Sequence, residues 1–155
     1  MRLELNNRLM AFMQTFENET KVFPRFVKIV DGTLFFFVGY RDYNSLDPKK
    51  IVQVRRNFKR LTGKTIRILG LTRDVEDFVI EYFKPFIELT RDNVKRDRRL
   101  LIITVDDIKK RSYILGRNGN RIKTLEKLLN ELYRIRKIIV VVNENKEEGN
   151  KNDRE

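Results

Sequence analysis

The chain has no cysteine, no histidine and no tryptophan, and only three prolines and seven glycines among 155 residues. Each absence removes a class of explanation. Without cysteine no disulfide framework forms, and without cysteine or histidine there is no zinc finger. Without histidine the usual proton shuttle near neutral pH is missing, and with it the Ser-His and Cys-His nucleophile pairs. An enzyme built on this chain would have to use Asp, Glu, Lys or Tyr. Asp42, Asp47, Asp106 and Asp107 are the candidates. They read better as loop or helix-cap residues, with no base or metal partner at a telling spacing. No catalytic residue, metal or cofactor is therefore expected. Long hydrophobic runs are missing too. The longest, 34–38 and 138–142, are strand-sized, and no apolar stretch of signal-peptide length opens the chain. The expectation is a soluble, cytoplasmic protein with no membrane partner.

Hydrophobic residues make up 41% of the chain. A chain of this length buries roughly 70% of the surface that its unfolded form exposes. Charged residues make up 36%, with a formal net charge of +12 and a pI near 10.1. Such a balance asks for a polyanionic partner, nucleic acid before an anionic membrane surface. The charge is concentrated. Residues 48–73 hold nine basic side chains and no acid, and residues 95–137 carry a further net +9. Residues 74–94 sum to −4 between them. A solvated helix face usually mixes Glu with Lys, so the acid-free window stands out.

Hydrophobic periodicity divides the chain into elements. Leu5, Leu9, Phe12, Met13 and Phe16 recur at helical spacing behind a cap at Asn6 or Asn7. Segments 22–30 and 33–40 read as strands joined at Asp31-Gly32, a hairpin signal. Residues 41–47 read as loop or weak helix. Pro48 suits a first helical turn, Ile51, Val54, Phe58 and Leu61 form a stripe, and Gly63 closes that helix. Segment 64–70 alternates as a half-buried strand does. Then the order restarts. Thr72 or Asp74 caps a helix ended by Pro85. Strands at 86–94 and 99–105 flank a charged turn at 95–98, and Asp106 or Asp107 caps a helix reaching Leu115. Gly116-Arg117-Asn118-Gly119 breaks it, a helix runs over 120–133, and the last strand is 138–142. Residues 143–155 read as a disordered polar tail. The chain thus spells helix–strand–strand–helix–helix–strand twice, with a period near 68 residues.

The segment 114–125 carries the chemistry. Glycines let a phosphodiester approach the main chain without Cβ interference. The loop abuts a helix N-terminus, where unpaired N–H groups and the dipole favour phosphate. Gly116 and Gly119 permit approach, while Arg117, Asn118 and Arg121 contact phosphate or sugar. Asn120 and Lys123 flank them, and Ile114, Leu115 and Ile122 wall a groove for unstacked bases. A glycine pair alone is weak, since it often marks only a helix-breaking turn. In a cationic chain, between two helices and before a strand, it resembles the KH module, in which such a loop clamps about four nucleotides of single strand. The element order is that of the prokaryotic, type II form. The fold class expected is α+β, with two packed type II KH domains at 1–70 and 71–142. The first resembles the module without its loop: sliding by 68 places Pro48 under Gly116, Ile51 under Gly119 and Leu61 under Leu129. Its basic residues Lys49, Lys50, Arg55, Arg56, Lys59 and Arg60 either hold RNA phosphates as point charges or form a solubilising face.

Further marks are LELNNRLMAFMQTFE at 3–17, LFFFV at 34–38, KRLTGKTI at 59–66, and Asp77-Phe78 through to Pro85. With them, the arrangement over 3–142 resembles the short archaeal form of the transcription factor NusA. That resemblance implies a monomeric RNA-binding factor of transcription elongation or termination, with single-stranded RNA and RNA polymerase as partners. It marks Gly116, Arg117, Asn118 and Gly119 as RNA contacts. The alternative is a ribosome-associated or ribosome-assembly RNA-binding protein, since a small-subunit ribosomal protein also carries a type II KH unit.

Overall fold

The computed structural model describes residues 7–143. The predicted tail, from residue 144 on, and the positions of Leu5 and Asn6 lie outside the described residues. The chain divides into two compact units, Met1–Arg73 and Asp74–Glu155. Each is α+β with a mixed three-stranded sheet.

In the first unit the order is α1 (Asn7–Thr20), β1 (Phe26–Val30), β2 (Thr33–Gly39), α2 (Tyr40–Ser45), α3 (Pro48–Thr62) and β3 (Thr65–Leu71). β2 lies central, antiparallel to β1 and parallel to β3. The hairpin turns at Asp31 and Gly32, both with positive φ (50° and 80°), as a two-residue hairpin requires. β1 starts later than the expected 22, because Lys21 takes a φ of 63° and Thr20 Oγ1 turns back to bond the Val22 N–H. Leu9, Met13, Phe16, Phe36, Val54 and Phe58 share one core. Phe16 stacks on Phe36 at 4.5 Å, and Phe36 meets Phe58 at 5.2 Å. Leu61, expected in the stripe, is 68% exposed.

In the second unit the order is α4 (Val75–Phe83), β4 (Val94–Asp97), β5 (Leu100–Val105), α5 (Ile108–Leu115), one 3-10 turn (Arg117–Gly119), α6 (Asn120–Tyr133) and β6 (Lys137–Val142). β5 is central, antiparallel to β4 and parallel to β6. The expected strand 86–94 and charged turn 95–98 are displaced. The charged residues form β4 itself, and the chain reverses at Arg98, whose φ is 57°. β4 is an edge strand with only Val94 buried; its charged side chains are exposed, with Arg96 donating to the Tyr133 carbonyl at 3.0 Å. Residues 86–93 are irregular and held by side chains. Asn93 accepts from the Thr90 N–H and donates to the Thr104 carbonyl, both at 2.9 Å. Arg91 reaches Asp74 and Asp77 at 3.0 Å and Glu76 at 3.3 Å. These carboxylates, Asp77 foremost, hold its pKa above the ordinary guanidinium value. The core is mostly aliphatic, with Leu101, Ile103, Ile114, Leu125, Leu128 and Leu129 fully buried.

The two orders match, but not at a constant shift. Thr33 pairs with Thr65, whereas Leu100 pairs with Lys137, so the second crossover is five residues longer. On the long helices the buried pattern fits a shift of 71: Val54 and Phe58 take the places of Leu125 and Leu129. The shift of 68 set exposed Leu61 against buried Leu129 and fails there. The length differences are spread along the crossover: two residues precede α5, α5 is two residues longer than α2, and two more fall at the helix junction, where the glycine loop lies.

Candidate nucleic-acid interface

α5 begins at Asp107, whose carboxylate accepts from the Lys110 N–H at 2.8 Å. It ends at Gly116, where φ is 73° and ψ 179°. That region is open almost only to glycine. A Cβ at Gly116 would also lie 2.6 Å from the Arg121 Cβ. Gly116 is thus fixed by the approach of α6 to the loop. Asn118 follows with φ 56° and Gly119 with φ 72°, both left-handed. Gly119 is different from Gly116: a Cβ there would meet only Lys123 Cε, at 3.9 Å. The space above Gly119 is open. The sequence assigned both glycines to backbone approach; the geometry leaves open space only above Gly119 and gives Gly116 the internal packing.

No side chain caps α6. At its start the Gly119 N–H is taken by the Gly116 carbonyl at 3.1 Å and the Asn120 N–H by the Arg117 carbonyl. Arg117, Asn118, Asn120 and Lys123 are exposed around it. Next to the loop lies a groove of about 420 Å³. Leu115, Gly119 and Ile122 line one side of it, and Ile138, Ile139 and Val140 of β6 line the other. Arg111, Lys123, Glu126 and Lys137 complete the lining. An apolar floor with cations around it suits a flat, unstacked base whose phosphates lie at the rim.

Two predicted residues are placed otherwise. Ile114 is fully buried and belongs to the core, so it cannot touch a base. Arg121 is half-buried and engaged. Its guanidinium lies 3.6 Å from the Phe86 ring centroid and donates to the Tyr113 carbonyl, while its own carbonyl accepts from Tyr82 Oη. It braces α6 against the loop and 86–93. Leu115 and Ile122 do line the groove. The sequence reading missed Arg111, Glu126, Lys137 and the β6 wall. The helical signal was present, because positions 119, 122–123 and 126 recur on one face of α6. The β6 wall has no such signal, since parallel pairing is a long-range fact.

In the first unit, Lys49, Lys50, Arg55, Arg56, Lys59 and Arg60 are all exposed on α3. Among the described residues none of them forms an ion pair, and Lys59 Nζ donates to the Gly63 carbonyl at 3.0 Å. The junction itself is closed. The Asp47 carboxylate accepts from the Lys49 N–H at 3.0 Å, and Pro48, at the first helical position, has no N–H to offer.

No family model matches the chain, and no curated protein is similar to it. Among the solved structures similar in fold is the crystal structure of APE1850. Its TM-score is 0.68 at 17% sequence identity, over 88% of this chain and 99% of that one. The likeness is one of fold. Among the described residues no group of His, Cys, Asp and Glu could hold a metal, and no helix is long and apolar enough to cross a membrane.

Proposed function

We propose that the protein is a tandem type II KH protein that clamps single-stranded RNA through its second unit. The observation that carries this reading is the junction at 116–119. Open space above Gly119 and an uncapped helix N-terminus stand beside an apolar groove rimmed by cations. The phosphates of about four nucleotides run over Gly119, held by Arg117, Asn118 and Lys123. The bases enter the groove over Leu115 and Ile122. The mechanism is holding, with no covalent step. The first unit is a degenerate copy whose α3 cations add sequence-independent attraction. The NusA-like resemblance of the sequence supports a role in transcription elongation or termination, with RNA polymerase as the protein partner to test.

The test is the double variant Arg117→Asp with Asn118→Asp, whose side chains lie outside the core. We expect an unchanged melting curve and loss of most RNA affinity. Unchanged affinity in the folded variant would overturn the site. Co-purification with polymerase supports the transcription role; co-purification with ribosomal particles replaces it.

A further inference from the structure

Glu126 is an acid in a groove otherwise lined by apolar and cationic residues. Its side chain is only 22% exposed. Oε2 accepts from the backbone N–H of Ile138 at 3.1 Å and lies 3.9 Å from Lys137 Nζ. The carboxylate is thus anchored from two sides, with one oxygen on the β6 wall. Oε1 has no hydrogen-bond partner among the described residues, and it is not sealed from water.

A fixed carboxylate oxygen is an acceptor only, with no donor to offer. It favours a ligand edge that donates and repels one that presents carbonyl oxygens. Cytosine carries an exocyclic amine at the position where uracil carries a carbonyl; uracil's own donor, N3–H, lies between two carbonyl oxygens that a carboxylate repels. We propose that Glu126 Oε1 is a specificity-determining acceptor that selects bases with an exocyclic amine, cytosine over uracil in the clearest case. The inference rests on the reading of this groove as an RNA site. Phosphates stay apart from the carboxylate, at the rim with Arg117 and Lys123, while the base edge reaches the wall where Glu126 lies. Lys137 partly offsets the charge, so the groove tolerates an acid without expelling the strand. One such hydrogen bond to a charged acceptor is worth about tenfold in affinity.

The experiment measures binding of oligocytidine and oligouridine octamers to the full chain and to Glu126→Gln. Glutamine keeps the shape and can still accept from Ile138 N–H, but it adds an amide donor that a carbonyl edge can use. We expect wild type to bind the cytidine octamer about tenfold more tightly, and the gap to close in Glu126→Gln without a change in melting temperature. A second measurement needs no variant. Octamers whose bases are 2-pyrimidinone, cytosine without its amine, should bind wild type as weakly as uridine does. Two outcomes overturn the assignment while leaving the RNA site standing. One is equal binding of both octamers that still depends on Arg117 and Asn118; the other is a cytidine preference that survives loss of the amine. If neither octamer binds, the RNA reading itself fails.

Discussion

The two units share an order of elements and a sheet topology, yet they begin their long helices in opposite ways. α3 opens on Asp47 and Pro48, a carboxylate that satisfies the first-turn donor and a residue with no donor. α6 opens on Gly119, with no capping side chain and open space above it. Both helices carry exposed cations. On the proposed reading, charge alone does not make a phosphate site. The first unit has more uncompensated charge on its helix, but its first turn is capped: Pro48 has no donor and the Lys49 N–H is held by Asp47. The second spends part of its charge internally, Arg121 on Phe86 and Tyr113 and Arg96 on the Tyr133 carbonyl, and its helix terminus carries no side-chain cap.

The comparison can be broken at four places. The largest effect belongs to Gly116→Ala, which meets both a forbidden backbone region and the Arg121 Cβ. We expect a loss of about 3 kcal/mol in urea denaturation. Gly119→Ala, strained only by its φ, should cost about 1 kcal/mol. Equal costs would show that the two glycines do not divide their roles.

Next comes a transposition. Gly119→Asp with Asn120→Pro gives the second junction the chemistry of the first. It should weaken RNA binding by about 1.5–3 kcal/mol, the size of one hydrogen bond to a charged group, while the far-ultraviolet circular dichroism stays that of a helical fold. Binding at wild-type strength would remove the helix terminus from the account.

Smaller is Asp47→Ala, which deletes a cap and should destabilise the chain by about 1 kcal/mol. It should leave RNA affinity unchanged, because Pro48 still blocks the terminus. A gain in affinity would make the first unit a clamp held shut by its own carboxylate. Smallest is Arg56→Glu with Arg60→Glu. The slope of log affinity against log salt should become shallower by about 0.7 for each phosphate that is no longer neutralised, with a modest change in affinity itself.

Much of this fold was legible because local chemistry and tertiary packing agree. Asp31-Gly32, Pro48 with Gly63, and the apolar stripe of α1 each specify one conformation, and the structure adopts it. The failures have a common cause. β4 is built from Lys95, Arg96 and Asp97, which no hydrophobic pattern marks as a strand, because an edge strand needs only one buried residue. Ile114 and Arg121 looked like site residues by adjacency to the loop. Yet a helix turns successive residues through about 100°, so Ile114 points into the core while Leu115 meets the groove. The loop itself was readable from its glycines. The groove was not, since half of it comes from β6, whose place beside α6 and β5 no local pattern announces.

The central claim is that loop geometry, more than charge, makes the second unit the RNA site. Fluorescence anisotropy with one RNA sequence, single-stranded and as duplex, tests it most directly, using the intact chain and the Arg56→Glu, Arg60→Glu variant. The account predicts tighter binding to the single strand, retained largely in the variant. Preference for the duplex, or loss of all binding when the α3 charges are reversed, would contradict it.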